Sequence, residues 1–142
     1  MNRRNLFLTL AIAAGSLMIT GCATTPARPK SRMVIQVSDG DAARWNLVLN
    51  NAKNAQNELG ADQVQIEIVA FGPGVGMLRF DAVTATRVSE AIKSGIAIVA
   101  CENSLTAQKL DKADMNSAIS YVPAGVVQIM RRQQEGWAYI RP

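Results

Sequence analysis

Apolar positions along the chain follow two alternating rhythms. Short runs that are apolar throughout, or apolar at every second residue, occur at 33–38, 64–71, 96–100, 119–122 and 137–140, and each predicts a β-strand. Between them the apolar residues recur at spacings of three and four. Trp45, Val48, Ala52, Ala55 and Leu59 predict one buried helical face, with Asp41 suited to cap the helix and Gly60 to stop it. Val88, Ala91 and Ile92 predict a helix over 84–93 that ends at Gly95. A short helix over 105–110 and a final one over 123–134 complete the series, with Pro123 suited to its first turn and Gly136 to its end. The 96–100 run has no polar interruption, as expected of a strand covered on both faces. Strands alternating with helices in this way predict an α/β sandwich with a largely parallel five-stranded sheet. Ligands in such folds bind where the strand C-termini open into loops. Four loops are therefore candidates: Asp39-Gly40-Asp41, Gly72-Pro73-Gly74, Cys101-Glu102-Asn103 and Pro123-Ala124-Gly125.

The N-terminal residues fit none of these elements. Arg3 and Arg4 are followed by an apolar run over 6–19, broken only by Thr9 and Gly15-Ser16, and then by Ile19-Thr20-Gly21-Cys22. Basic, apolar, then small residues is the order of a secretory signal, and the run is shorter than the roughly 20 residues that span a bilayer. Ile-Thr-Gly-Cys resembles the bacterial lipoprotein box, whose cysteine is lipidated and becomes the new N-terminus. The expected organisation is a signal peptide at 1–21, a lipidated tether at 22–32 carrying Pro26 and Pro29, and one domain at 33–142. Acylation of Cys22 would anchor the chain at a membrane surface. The expected address is the bacterial cell envelope, facing the periplasm. Ala23, which is not the aspartate associated with inner-membrane retention, favours the outer membrane.

Composition then narrows the chemistry. Loss of 21 of the 142 residues removes two arginines and leaves 13 basic against 11 acidic side chains, a formal +2 instead of +4. The pI of about 9.4 is thus partly a property of the signal peptide, and no nucleic-acid partner is expected. The chain has no histidine, which excludes an imidazole base, an imidazole metal ligand and a Ser-His-Asp triad. Two cysteines make neither a disulfide scaffold nor a four-cysteine metal site, and neither a metal nor a cofactor is expected. With Cys22 acylated, Cys101 is the one free thiol. It ends a central strand just before a helix N-terminus, where backbone N–H groups and the helix dipole favour a thiolate, while the charge of Glu102 opposes it. The same position also suits a cysteine that simply packs. Gly72-Pro73-Gly74-Val75-Gly76 matches neither glycine-rich phosphate motif and reads as a tight turn. Asp39 and Asp41 are too few for a cation site, and Asp41 is accounted for as a cap. The stripe Asn46, Asn50, Asn54, Asn57 and the pair Arg131-Arg132 read as solvated helix faces.

The run Val34-Ile35-Gln36-Val37-Ser38, the Gly72-Pro73-Gly74 turn, Ala100-Cys101-Glu102-Asn103-Ser104, and the ending from Pro123-Ala124-Gly125-Val126-Val127 to Gly136-Trp137-Ala138-Tyr139-Ile140 resemble the DsrE/DsrF-like family. The similarity spans residues 33–142 and is closest to the small single-domain subgroup labelled intracellular sulfur oxidation proteins. It implies a three-layer α/β/α sandwich, assembly into homo-oligomers and, in the sulfur-relay branch, sulfane sulfur carried as a cysteine persulfide. The cysteine concerned maps onto Cys101, with Phe71 standing where members commonly carry histidine before the turn. The expected function is a membrane-anchored protein that accepts or relays sulfane sulfur on Cys101, at most a sulfurtransferase-like carrier with a protein donor or acceptor. Asn103 would position the loop through its side chain, and Asp39, Gly72, Gly74 and Gly125 would line the binding loops. The alternative is a non-catalytic periplasmic lipoprotein module for binding or oligomerisation, with Cys101 structural.

Overall fold

The computed structural model describes residues 31–142; the expected signal peptide, Cys22 and the expected tether as far as residue 30 lie outside the described residues. Five strands, β1 (Ser31–Val37), β2 (Val64–Ala70), β3 (Ala97–Cys101), β4 (Ser120–Val122) and β5 (Ala138–Ile140), form one sheet in the order β4-β3-β2-β1-β5. Every neighbouring pair is parallel. The helices are α1 (Ala42–Leu59), α2 (Ala85–Lys93), α3 (Glu102–Ala107) and α4 (Gly125–Gln134).

Strand order dictates the layers. From β1 to β4 the chain steps steadily toward one edge, so right-handed crossovers place α1, α2 and α3 on one face. The return from β4 to β5 at the opposite edge runs the other way and carries α4 across the other face. Two cores match this division. Ile35, Val37, Ile66, Ile68, Ala70, Ile98 and Ala100 pack with Val48, Leu49 and Ala52 of α1, Val88 of α2 and Leu105 of α3. On the other side Val34, Val69 and Val99 pack with Ile129 of α4. The result is an α/β/α sandwich. Since successive side chains alternate between faces, Glu67 and Cys101 share the α4 side with Val69 and Val99.

Local sequence explains most boundaries. Asp41 caps α1 by accepting from the Ala43 N–H at 3.2 Å, and Gly60 ends it. Trp45 donates its indole N–H to the Asp39 carbonyl at 2.6 Å and so ties α1 to the end of β1. Several elements depart from the pattern. β1 starts at Ser31, so Ser31 and Arg32 belong to the sheet and not to the tether; the Arg32 guanidinium bonds the Glu135 carbonyl at 2.7 Å. β3 runs one residue further than expected and takes in Cys101. α3 starts directly after it at Glu102, three residues early, and is finished by Gln108 and by Lys109 at φ 55°. α4 starts at Gly125 with Ala124 as its N-cap, so Pro123 lies before the helix and not in its first turn. The Gly72-Pro73-Gly74 turn opens a 3-10 segment, Gly72–Leu78. Gly74 is pressed onto β1 there, and a Cβ would stand 2.3 Å from the Val37 carbonyl oxygen. Glu67, in an alternating strand that predicts an outward carboxylate, is 3 % exposed because α4 covers it.

Candidate functional site

After β3 the chain turns into α3 on one face of the sheet; after the adjacent β4 it turns into α4 on the other. The C-terminal ends of β3 and β4 therefore flank a topological switch point, where α/β sheets open a crevice. Cys101, the last residue of β3, stands there and pairs with Val122 at the end of β4. It is 5 % exposed. In the thiol form its Sγ donates to the Pro123 carbonyl at 3.7 Å.

The groups around the sulfur decide its acidity. Burial pushes the Cys101 thiol up, because the anion loses water. Against that, the Ser104 hydroxyl and the backbone amides of Gly125, Ser104 and Asn103 lie about the sulfur and favour its anion, and together they hold its pKa below the usual thiol range. Two of these amides belong to the first turn of α3 and the third opens α4, so both helical layers supply donors. Ser104 Oγ accepts from the Gly72 N–H at 2.7 Å, which leaves its own O–H free to point at the sulfur. Gln108 closes the same clamp by donating to the Gly72 carbonyl at 2.7 Å. Gly125 lets the α4 terminus come this close, since a Cβ there would lie 2.9 Å from Phe71 Cβ and 3.3 Å from Cys101 Cβ. The Glu102 carboxylate, expected to oppose the thiolate, is drawn off by Lys112 at 2.7 Å, and Lys112 also stands 4.5 Å from the centroid of the Tyr121 ring.

Cys101, Gly72 and Gly125 are thus brought together, with Phe71 packed between them. Gly74 lies behind them against Val37 and Ser38. Asp39 is at the same end of the sheet, held through its carbonyl to Trp45, with Gly40 beside Pro73. The Asn103 side chain is exposed; it is the backbone N–H of Asn103 that bonds Pro123 O, at 3.2 Å. The side-chain tie from this loop comes from Ser104, one residue on. Sequence reasoning passed over Ser104, although a hydroxyl three residues into a strand-to-helix turn is well placed to reach back to the turn residue. Among the described residues no group of three or more Cys, Asp and Glu side chains is arranged to hold a metal ion, and no helix is long and apolar enough to cross a membrane.

Comparison with known proteins gives four findings. The model of the DsrE/DsrF-like family matches residues 31–142. The solved structure of a protein of unknown function from Methanobacterium thermoautotrophicum is 39% identical, with a TM-score of 0.76, and the match covers 80% of this chain and 100% of that one. A conserved protein of unknown function from Bacteroides thetaiotaomicron, 18% identical with a TM-score of 0.65 over 79% of this chain and 95% of that one, shares the fold. No curated protein matches.

Proposed function

The chain belongs to the DsrE/DsrF-like family, and on that premise we propose that it accepts sulfane sulfur on Cys101 and holds it as a persulfide at a membrane surface. The observation that carries the reading is the place of Cys101 at the switch point between β3 and β4, packed against Gly125, where a ring of polar groups from two helices, the Ser104 hydroxyl and the amides of Asn103, Ser104 and Gly125, favours its anion. Such a ring favours an anionic sulfur without needing a base, and the chain has no histidine to serve as one. The Cys101 thiolate attacks the outer sulfur of a donor persulfide. A new S–S bond forms on Cys101, the donor's S–S bond breaks, and the donor leaves as a thiolate while the proton stays on the transferred sulfur. No external oxidant or reductant enters. Passing the sulfur to an acceptor thiolate is the same exchange in reverse, so a donor or acceptor protein is the partner this chemistry requires. The lipid on Cys22 would confine the exchange to the periplasmic side of the envelope, at the outer membrane, with the domain assembled as a homo-oligomer.

Intact-mass analysis of the reduced protein after exposure to polysulfide tests the reading. One added sulfur atom on the wild type, absent from Cys101→Ser, is expected; no adduct, or one that persists in Cys101→Ser, overturns it. Radiolabelled palmitate tests the anchor separately, since Cys22→Ser should lose both the label and the membrane fraction.

The 5 % exposure of Cys101 favours a second reading, a binding or oligomerisation module in which the thiol only packs. Alkylation of the folded protein separates the two. A thiol that iodoacetamide reaches only on global unfolding supports the module.

A further inference from the structure

Among the described residues Glu67 is the only charged side chain that is buried, and it lies on the same face of the sheet as Cys101. Its two carboxylate oxygens are taken by one helix. Oε1 accepts from Gln128 Nε2 at 2.7 Å, and Oε2 accepts from Arg132 Nε at 2.9 Å and Nη2 at 2.5 Å. Gln128 and Arg132 are one turn apart on α4, so the grip fixes both the rotation and the axial position of that helix. Further along α4, Ile129 packs against Val34, Val69 and Val99, a contact that is apolar and tolerates sliding.

A buried ion pair is a poor way to add stability, because desolvation consumes much of the Coulombic gain. What it supplies in this position is direction. Gln128 lies three residues after Gly125, whose Cα is packed against Phe71 and Cys101 with no room for a methyl group and whose backbone amide is among the groups that favour the Cys101 anion. Each residue of a helix advances it by about 1.5 Å, so a slip of one residue would carry Gly125 out of its close contact with Cys101. We propose that Glu67 is a positioning residue: through Gln128 and Arg132 it sets the axial register of α4 and so holds the Gly125 amide on the Cys101 sulfur. The inference deepens the reading of Cys101 as a working thiolate and rests on it.

The test is the pH profile of Cys101 alkylation by iodoacetamide in the full chain, which reads thiolate formation and not stability. Its midpoint reports the amide and hydroxyl donors with little charge interference. Of the elements packed on Cys101, α3 brings Glu102, already paired with Lys112, and β4 brings Tyr121, which faces Lys112. Residues 71–78 and the first turn of α4 carry no charge. Glu67→Leu should raise the midpoint by about one pH unit, which is about tenfold less thiolate at neutral pH. Gln128→Ala should move it in the same direction by less. Glu67→Gln, whose amide can still accept from Arg132 and donate to a flipped Gln128, should return it to within a few tenths of a unit of wild type. Gln56→Ala is the control: it removes a buried tie to Ser94 in the opposite layer and should leave the midpoint in place. The proposal is overturned if Glu67→Leu keeps the wild-type midpoint or if Gln56→Ala shifts it equally. Should Glu67→Leu not fold, an unmoved midpoint in Gln128→Ala overturns it instead. Sulfur loading is scored independently. A wild type that takes up no sulfur refutes persulfide carriage and leaves the midpoint comparison standing, whereas normal loading with unmoved midpoints refutes the role of Glu67 alone.

Discussion

Replacing Ser104 by alanine removes one oxygen that makes two separate contributions, and pH separates them. The first is structural. The Gly72 N–H loses its 2.7 Å acceptor; an orphaned amide costs about 1–3 kcal/mol when fully buried, and since both residues are only half-buried the lower end, about 1 kcal/mol, applies. The second is electrostatic. The Cys101 thiolate loses its one side-chain donor, water has little access to a residue 5 % exposed, and a hydrogen bond to an ion contributes about 1.5–3 kcal/mol. At 1.36 kcal/mol per pH unit, that raises the thiol pKa by about one to two units. The sign follows from linkage. A thiol whose folded pKa lies below its unfolded value of about 8.5 contributes stability that is complete above the unfolded pKa and disappears as pH falls through the folded one. Ser104→Ala should therefore destabilise by about 1 kcal/mol at a pH below the folded Cys101 pKa, and by at least about 2 kcal/mol at pH 9, above the unfolded value. Urea unfolding at both pH values under reducing conditions measures the difference, and the alkylation midpoint should rise in parallel. Ser104→Thr, which keeps the hydroxyl, should behave as wild type at Cys101. An equal penalty at both pH values, or a midpoint that stays or falls, would refute the assignment of the Ser104 proton to the sulfur.

Three further substitutions probe the surroundings. Gly74→Ala places a Cβ 2.3 Å from the Val37 carbonyl oxygen, a backbone atom fixed in the centre of the sheet; overpacking at this distance should cost at least about 3 kcal/mol in urea unfolding, and an alanine protein of wild-type stability would show that the Gly72–Leu78 segment does not sit on β1. Asp41→Ala removes the α1 cap and should cost about 1 kcal/mol without altering Cys101 alkylation at any pH. Cys101→Ser should abolish the thiol-dependent rise in stability between the lowered folded pKa and about pH 8.5; a wild type that gains nothing over the serine variant across that range has no stabilised thiolate.

The strands and helices were legible because each carries its own period. The β2 alternation, the unbroken apolar run before Cys101, and the Trp45-to-Leu59 spacing each require one kind of element whatever packs on it. Boundaries near the site were less legible, and the reason is shared. Glu102-Asn103-Ser104 has no apolar periodicity, so the start of α3 is set by the strand that feeds it and not by residues within it. Pro123 suits a first helical turn by its φ, yet its carbonyl is claimed by Asn103 N–H and the Cys101 thiol, which keeps it outside α4. Glu67 reads as solvated because alternation fixes only which face a side chain takes. Whether that face is wet depends on where α4 lands, and strand order decides that. Asp39, Gly72, Gly74, Cys101 and Gly125 do gather at one end of the sheet, as loops at strand C-termini must. That Ser104, and not the Asn103 side chain, ties the loop follows from the early start of α3, which turns Asn103 to solvent.

The absence of histidine restricts what a thiolate at this site can do. Hydrolysis of an amide requires a proton donor for the departing amine, and no imidazole can first take a proton from Cys101 and then deliver it. Transfer of sulfane sulfur has no such requirement, because the group that departs is itself a thiolate, stable near neutral pH. The demand on the protein is only to hold an anionic sulfur before and after the exchange, and fixed dipoles do that without changing protonation. Those dipoles meet at Cys101 because the strand order reverses after β4: α3 brings its amides from one face of the sheet and α4 brings Gly125 from the other. A second cluster of donors at the end of β1 or β2 would need helices from both faces to start there, and the chain after each of those strands stays on one face. The sheet topology thus makes the end of β3 the place where both helical layers bring amides to one sulfur, as the proposed persulfide carrier requires.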